Sequence, residues 1–173
     1  MTTELWQLEA TETARLVRER TVSAVEVTEA HIARIDAVNS KLNAIVVRTD
    51  EHARAQASLI DSGSATGPLA GVAMTTKINT DHVPYVMDNG IAMLKDNLSS
   101  MTHKSIEGLL ADGAVMLGRT NSPSFALRSH TGNDLHGETH NPHGIHLTPG
   151  GSSGGAGSAV ASGMCAVAQG NDV

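Results

Sequence analysis

From Ser23 onward the apolar positions recur with a helical period. At about 100° per residue, Ala24, Val25, Val27, Ile32, Ile35 and Val38 share one face, and His31 falls on it. Ser23-Ala24-Val25-Glu26 fits a capping box, which sets the helix start at Ser23. On that face His31 reads as a packed histidine rather than a ligand. Residues 10–20 predict a shorter helix ahead of it. Ala44 to Arg48 is short and β-branched, a strand pattern, and Asp50 to Asp61 is an alanine-rich helix pattern. Ser62 to Pro68 reads as a loop, and Gly71 to Thr76 as a buried strand ending at Lys77. Residues 103–112 suit a helix closed by Gly113, and Val115 to Gly118 a strand. Residues 129–151, rich in Gly, His, Asn, Pro and Thr, read as a long structured loop. Ser153 to Ser162 predicts a buried helix of small residues near the centre of the fold, and Val167 to Gly170 begins another strand. Helices alternating with strands favour an α/β fold, and the expected architecture is a mixed central sheet flanked by helices. No internal repeat and no linker divides the chain.

Composition narrows this picture. A chain of 173 residues can bury a real core. Its aromatic residues are Trp6, Tyr85 and Phe125, so that core rests on Ala, Val, Ile, Leu and Met, with close backbone packing at Gly and Ala. A net charge of -6 with scattered basic residues argues against nucleic acid and anionic membranes as partners. No apolar run nears the roughly 20 residues of a membrane helix. Met1 to Ala10 carries Glu4 and Glu9 and lacks a basic stretch followed by an apolar one, so no signal peptide is expected. Cys165 is the single cysteine, which excludes an internal disulfide and is consistent with a reducing cytoplasm. Within its apolar run it reads as an inert buried thiol.

Two features carry chemistry. The segment Thr148-Pro149-Gly150-Gly151-Ser152-Ser153-Gly154-Gly155-Ala156-Gly157-Ser158 sets two hydroxyls where a loop enters a helix. The first amides of a helix have no partners within it, so hydroxyls and free N–H donors meet there, as acyl transfer requires. The second feature is Lys77, one of four lysines, at the end of an apolar strand. Desolvation disfavours its ammonium, and a neutral lysine is a general base; a strand-end lysine reaching solvent is the alternative. Gly-x-Ser-x-Gly matches at Ser152 and Ser153, but no histidine follows and a Pro-containing loop precedes, which excludes the α/β-hydrolase elbow. A Walker loop is excluded because no lysine follows Lys104. A phosphate held by helix-start amides, or a plain glycine-rich turn, stays open. His130, His136, His140, His143 and His146 lie close together with Asp134 and Glu138, but Gly137, Pro142 and Gly144 interrupt any helix that could present them to a metal. They read as polar loop histidines.

The constellation resembles the amidase signature family over nearly the whole chain. The matching segments are Pro68-Leu69-Ala70-Gly71-Val72 leading to Lys77, Gly118-Arg119-Thr120-Asn121, Asn141-Pro142, Thr148 to Gly155, and Gly170-Asn171-Asp172-Val173. The resemblance implies that Lys77 is the catalytic lysine and Ser152 the bridging serine, preceded by a cis Gly151–Ser152 bond. On this resemblance, Lys77 is expected to take a proton from Ser152, which relays one from a nucleophilic serine that attacks an amide carbonyl to give an acyl-enzyme. It also implies that Ser153, Asp172 and Val173 support the loop and the oxyanion site, whose expected donors are backbone amides near Val173 and beyond. No metal and no cofactor is implied, the substrate is a small-molecule amide, and a homodimer is left open.

The sequence departs from the family pattern at Lys77-Ile78-Asn79, where Lys-Asp-Asn is common, and at Asn141-Pro142-His143, where Asn-Pro-Trp is common. The resemblance puts the nucleophile three residues past Val173. Residues 1–173 are therefore expected to be the N-terminal part of one domain, inactive and poorly stable alone. Two alternatives accompany this reading: the A subunit of a glutamine-dependent tRNA amidotransferase, and a non-catalytic amidase-like fragment.

Overall fold

The computed structural model describes residues 4–172. Its elements run α1 (Ala10–Arg18), α2 (Ala24–Leu42), β1 (Ile45–Arg48), α3 (Asp50–Asp61), β2 (Ala73–Lys77), α4 (Lys104–Ala111), β3 (Val115–Thr120), β4 (Gly132–Asn133), β5 (Gly137–Glu138), α5 (Gly154–Ala161) and β6 (Val167–Ala168). Four strands form one sheet in the order β1-β3-β2-β6. β1 is antiparallel to β3, whereas β2 runs parallel to both β3 and β6. The sheet is mixed and flanked by helices, the expected architecture. Among the described residues no helix is long and apolar enough to cross a membrane.

Local chemistry sets the element ends. The Ser23 hydroxyl accepts from the Glu26 amide at 3.1 Å, and the Glu26 carboxylate accepts from the Ser23 amide at 2.8 Å, which forms the predicted capping box. Asp61, the last residue of α3, accepts from the amides of Ala24 and Val25, so one helix end caps the start of another. Asn43 closes α2 in the left-handed conformation, at φ +49°. The Asn39 carboxamide then takes the amides of Ala44 and Ile45 and turns the chain into β1.

The sheet divides the core. Ala73, Val115 and Leu117 pack with Val27 and Ile35 of α2, Ala53 and Ala57 of α3, and Ala159 of α5. Met74 and Met116 face the other way, towards Leu109 and Leu110. This is the alternation expected of strands covered on both sides. His31 is fully buried on the apolar face of α2, its Nδ1 3.2 Å from the Gly163 carbonyl.

Three expectations are revised. The 129–151 loop contains a two-stranded antiparallel hairpin, β4–β5, docked on the ends of α2 and β3 through Asn43 and Asn121. β3 extends past Gly118 to Thr120. Helix α5 is buried on one side only, with Gly157, Val160 and Ala161 exposed, because the sheet covers just the face carrying Gly155 and Ala159.

Candidate active site

Lys77 ends β2 and Ala168 ends the parallel neighbour β6, so both strands deliver their following residues to one edge. α5 begins at the same edge. Ligand sites in parallel sheets form at this carboxyl end. The approach of α5 is set by the main chain: a Cβ on Gly155 would meet the backbone O and N of Asn121 at 2.5 and 2.6 Å. Glycine alone allows that contact. The buried Thr131 side chain fastens the loop ahead of α5, donating to the Gly150 carbonyl and accepting from the Gly154 amide, each at 3.0 Å. The Gly151–Ser152 peptide between them is cis.

In this frame Lys77 Nζ donates to Ser152 Oγ at 2.7 Å, and both residues are buried. Nζ also donates to Asn171 Oδ1 at 2.8 Å and to the Asn171 carbonyl at 3.3 Å. Burial pulls the Lys77 ammonium down from the ordinary lysine value to about 8, against the opposing pull of the Asp172 carboxylate. A base near 8 holds an appreciable neutral fraction at neutral pH. The Lys77 amide is bound as well, by the Gln169 side-chain oxygen at 3.1 Å.

Arg119 fixes the chain leaving Lys77. It is fully buried, in register with Thr76, and its Nη2 donates to the carbonyls of Lys77, Ile78 and Thr80. Nη1 reaches the His82 carbonyl at 3.5 Å. No carboxylate among the described residues hydrogen-bonds to it, and burial lowers its guanidinium to about 10.

The structure thus brings Lys77 and Ser152 into direct contact. Ser153 stands beside them, its hydroxyl donating to the Asn171 carbonyl at 3.1 Å and accepting from the Asn171 amide at 3.3 Å. Asp172 is exposed and acts on Lys77 through its charge. Val173 lies outside the described residues. The histidines disperse: His130 pairs with Glu138 and Thr148, and His136 pairs with the buried Asp88 at 2.9 Å. Among the described residues no three His, Cys, Asp or Glu side chains gather as a metal group. Cys165 stays a thiol, since burial pushes it up to about 12.

Sequence reasoning misses Gln169 and Thr131 at this site, and takes Asn171 only as part of the Gly170–Val173 segment, without its contact to Lys77. Their signal lies in three-dimensional convergence, which no period or spacing records. Arg119 enters it only as part of a motif; a charge in an apolar strand is its clue.

Comparison with known proteins identifies the family and the fold. The Amidase family model matches residues 26–173. An indoleacetamide hydrolase of Bradyrhizobium diazoefficiens is 42% identical over 98% of this chain and 33% of its own length. The A subunit of the glutamyl-tRNA(Gln) amidotransferase of Moorella thermoacetica is 39% identical over 98% of this chain and 36% of its own. The solved structure of a 6-aminohexanoate cyclic dimer hydrolase complexed with substrate superposes with a TM-score of 0.89 at 35% identity, covering 98% of this chain and 35% of that one. The chain spans about a third of the length of the relatives it matches. With the fold, the glycine-serine loop and the family match in agreement, the chain belongs to the Amidase family, the amidase signature enzymes.

Proposed function

We propose that the intact protein hydrolyses a small carboxylic amide to acid and ammonia or amine through an acyl-enzyme. Residues 1–173 form the N-terminal part of its domain and supply the proton relay. The observation that carries this reading is the buried 2.7 Å contact between Lys77 Nζ and Ser152 Oγ. Neutral Lys77 accepts the Ser152 proton. Ser152 in turn accepts one from a serine that follows residue 173, and that serine attacks the amide carbon. The proton returns along the same path to the departing nitrogen, and water then releases the acid. Backbone amides around and beyond Val173 hold the oxyanion, and Ser153 braces that segment through Asn171. No step draws on a metal or cofactor.

The test is ammonia release from primary amides by the intact protein. Lys77→Ala and Ser152→Ala are each expected to lower kcat by orders of magnitude while keeping the fold. Near-parental turnover in Lys77→Ala removes Lys77 as the base.

A second reading, glutamine hydrolysis that feeds ammonia to a partner, is favoured by the 39% identity to an amidotransferase component. It predicts activity on glutamine that depends on a partner protein. The Lys77-Ile78-Asn79 sequence leans towards the stand-alone amidase.

A further inference from the structure

The Lys77 amine has more partners than a proton relay needs, and their chemistry is unequal. Its three contacts are Ser152 Oγ at 2.7 Å, Asn171 Oδ1 at 2.8 Å and Asn171 O at 3.3 Å. An ammonium has three N–H donors, one for each oxygen. A neutral amine has two donors and one lone pair. Both Asn171 oxygens can only accept, whereas the Ser152 hydroxyl can also donate. The two remaining N–H bonds therefore face Asn171, and the lone pair faces the one contact that carries a proton.

Both Asn171 oxygens are fixed from outside. Its Nδ2 donates to Asn79 Oδ1 at 3.1 Å and to Thr80 Oγ1 at 3.2 Å, and Asn79 Nδ2 returns a bond to Asn171 Oδ1 at 3.3 Å. A flipped carboxamide would set Nδ2 against the Lys77 donors and oxygen against oxygen at Asn79. The backbone carbonyl is held by the Ser153 hydroxyl at 3.1 Å. The side chain is neutral, so it directs the amine without holding it charged. The charged groups around Lys77 are the Asp172 carboxylate and the Arg119 guanidinium, the latter bound to the Lys77 carbonyl.

We propose that Asn171 is a positioning residue that occupies both N–H donors of neutral Lys77 and so aims its lone pair at the Ser152 hydroxyl, with Asn79 and Thr80 locking its carboxamide. The inference rests on the reading of Lys77 as base. In the step it assists, the Ser152 O–H bond breaks and a third N–H bond forms on Lys77. The resulting ammonium keeps its other two N–H bonds on Asn171. The Ser152 oxygen takes its replacement proton from the attacking serine.

The experiment uses the intact protein with two readouts. One is the pH profile of kcat/KM for a primary amide. The other is the pH dependence of Lys77 acetylation by acetic anhydride, followed by mass spectrometry. Asn171→Asp sets a carboxylate against the amine and is expected to move the acid limb and the acetylation inflection up together, by about one pH unit or more. Asn171→Ala is expected to lower kcat by about tenfold or more with KM little changed, and without that upward move. Asn79→Ala, which removes only the carboxamide lock, is expected to lower kcat several-fold. A merely structural Asn171 would change stability and leave the pH profile in place. If Asn171→Asp moves neither inflection, the proposal fails; should that variant not fold, a parental kcat in Asn79→Ala overturns it instead. Parental activity in Lys77→Ala would sink the amidase mechanism itself, a separate result.

Discussion

Arg119 Nη2 donates to the Ile78 carbonyl at 3.1 Å from a fully buried position. The same nitrogen serves the Thr80 carbonyl. A buried guanidinium without a hydrogen-bonded carboxylate is costly unless its donors are used; here Nη1 and Nη2 shape the turn after Lys77, while Nε has no partner among the described residues.

Replacing Arg119 with Met should therefore orphan buried carbonyls rather than merely delete a charge. The expected loss is about 2–4 kcal/mol, read as a lowered urea midpoint. Arg119→Lys should recover only part of it, because an ammonium lacks the planar fork that spans several carbonyls. A midpoint unchanged in Arg119→Met would show that the turn holds without it.

The rate should carry the signature of Lys77. Only its neutral form can accept a proton, so kcat/KM of the intact protein should rise with pH through an inflection near the lysine value of about 8. The Asp172 carboxylate favours the ammonium, so Asp172→Asn should move that inflection to lower pH. An inflection that moves up, or stays, in the Asn variant contradicts this electrostatic assignment.

Stability should depend on pH at both ends. Burial lowers His31 and His82 from 6.5 to about 4. In that interval the unfolded chain binds protons that the native chain refuses, so stability falls as pH drops from 6.5 towards 4. His31→Gln, neutral throughout, should flatten part of the slope in a series of urea titrations. Lys77 acts at the other end. Its native value of about 8 lies below its ordinary 10.5, so stability should increase between these two values as the unfolded ammonium loses its advantage. Lys77→Met should abolish that rise.

Two glycines should respond oppositely to alanine. At Gly155 the added Cβ meets the Asn121 backbone at 2.5 Å, so α5 must lift from the sheet, and a loss of roughly 3 kcal/mol or more is expected. Gly108 sits mid-helix in α4 with nothing within 4 Å of a Cβ. There alanine should stabilise by about 0.5–1 kcal/mol. Thermal unfolding of both variants checks the pair.

Much of this architecture is legible because its periods are strong. The capping box at Ser23 marks the start of α2, and the apolar run before Lys77 marks β2. Residues 78–102 carry no period: they hold a cis Val83–Pro84 bond, a short 3-10 turn at Ala92–Leu94 and an isolated bridge between Val86 and Leu98. Their course is set by side-chain anchors such as Arg119 and Asp88, which pattern reading does not weigh. At the site, Lys77 and Ser152 stand out because each clashes with its surroundings, a charge in an apolar strand and hydroxyls among glycines. Asn171 does not: it appears only inside the Gly170–Val173 segment, and nothing in its neighbours marks a contact with Lys77.

The contact of Gly155 with Asn121 bears on how such a site can diversify. An added Cβ there would meet main chain rather than a movable side chain, so the close approach of helix α5 to the sheet depends on the glycine itself. Side chains around the substrate can then be exchanged, enlarged or recharged without altering the distance between Lys77 and Ser152. Under the proposed relay the Lys77–Ser152 pair is a fixed gauge, and substrate choice a separate variable carried by whatever surface faces it. A selection scheme for new amide substrates should leave Gly155 and Asn121 untouched, with Lys77, Ser152, Asn171 and Thr131, and randomise the surface that faces the substrate.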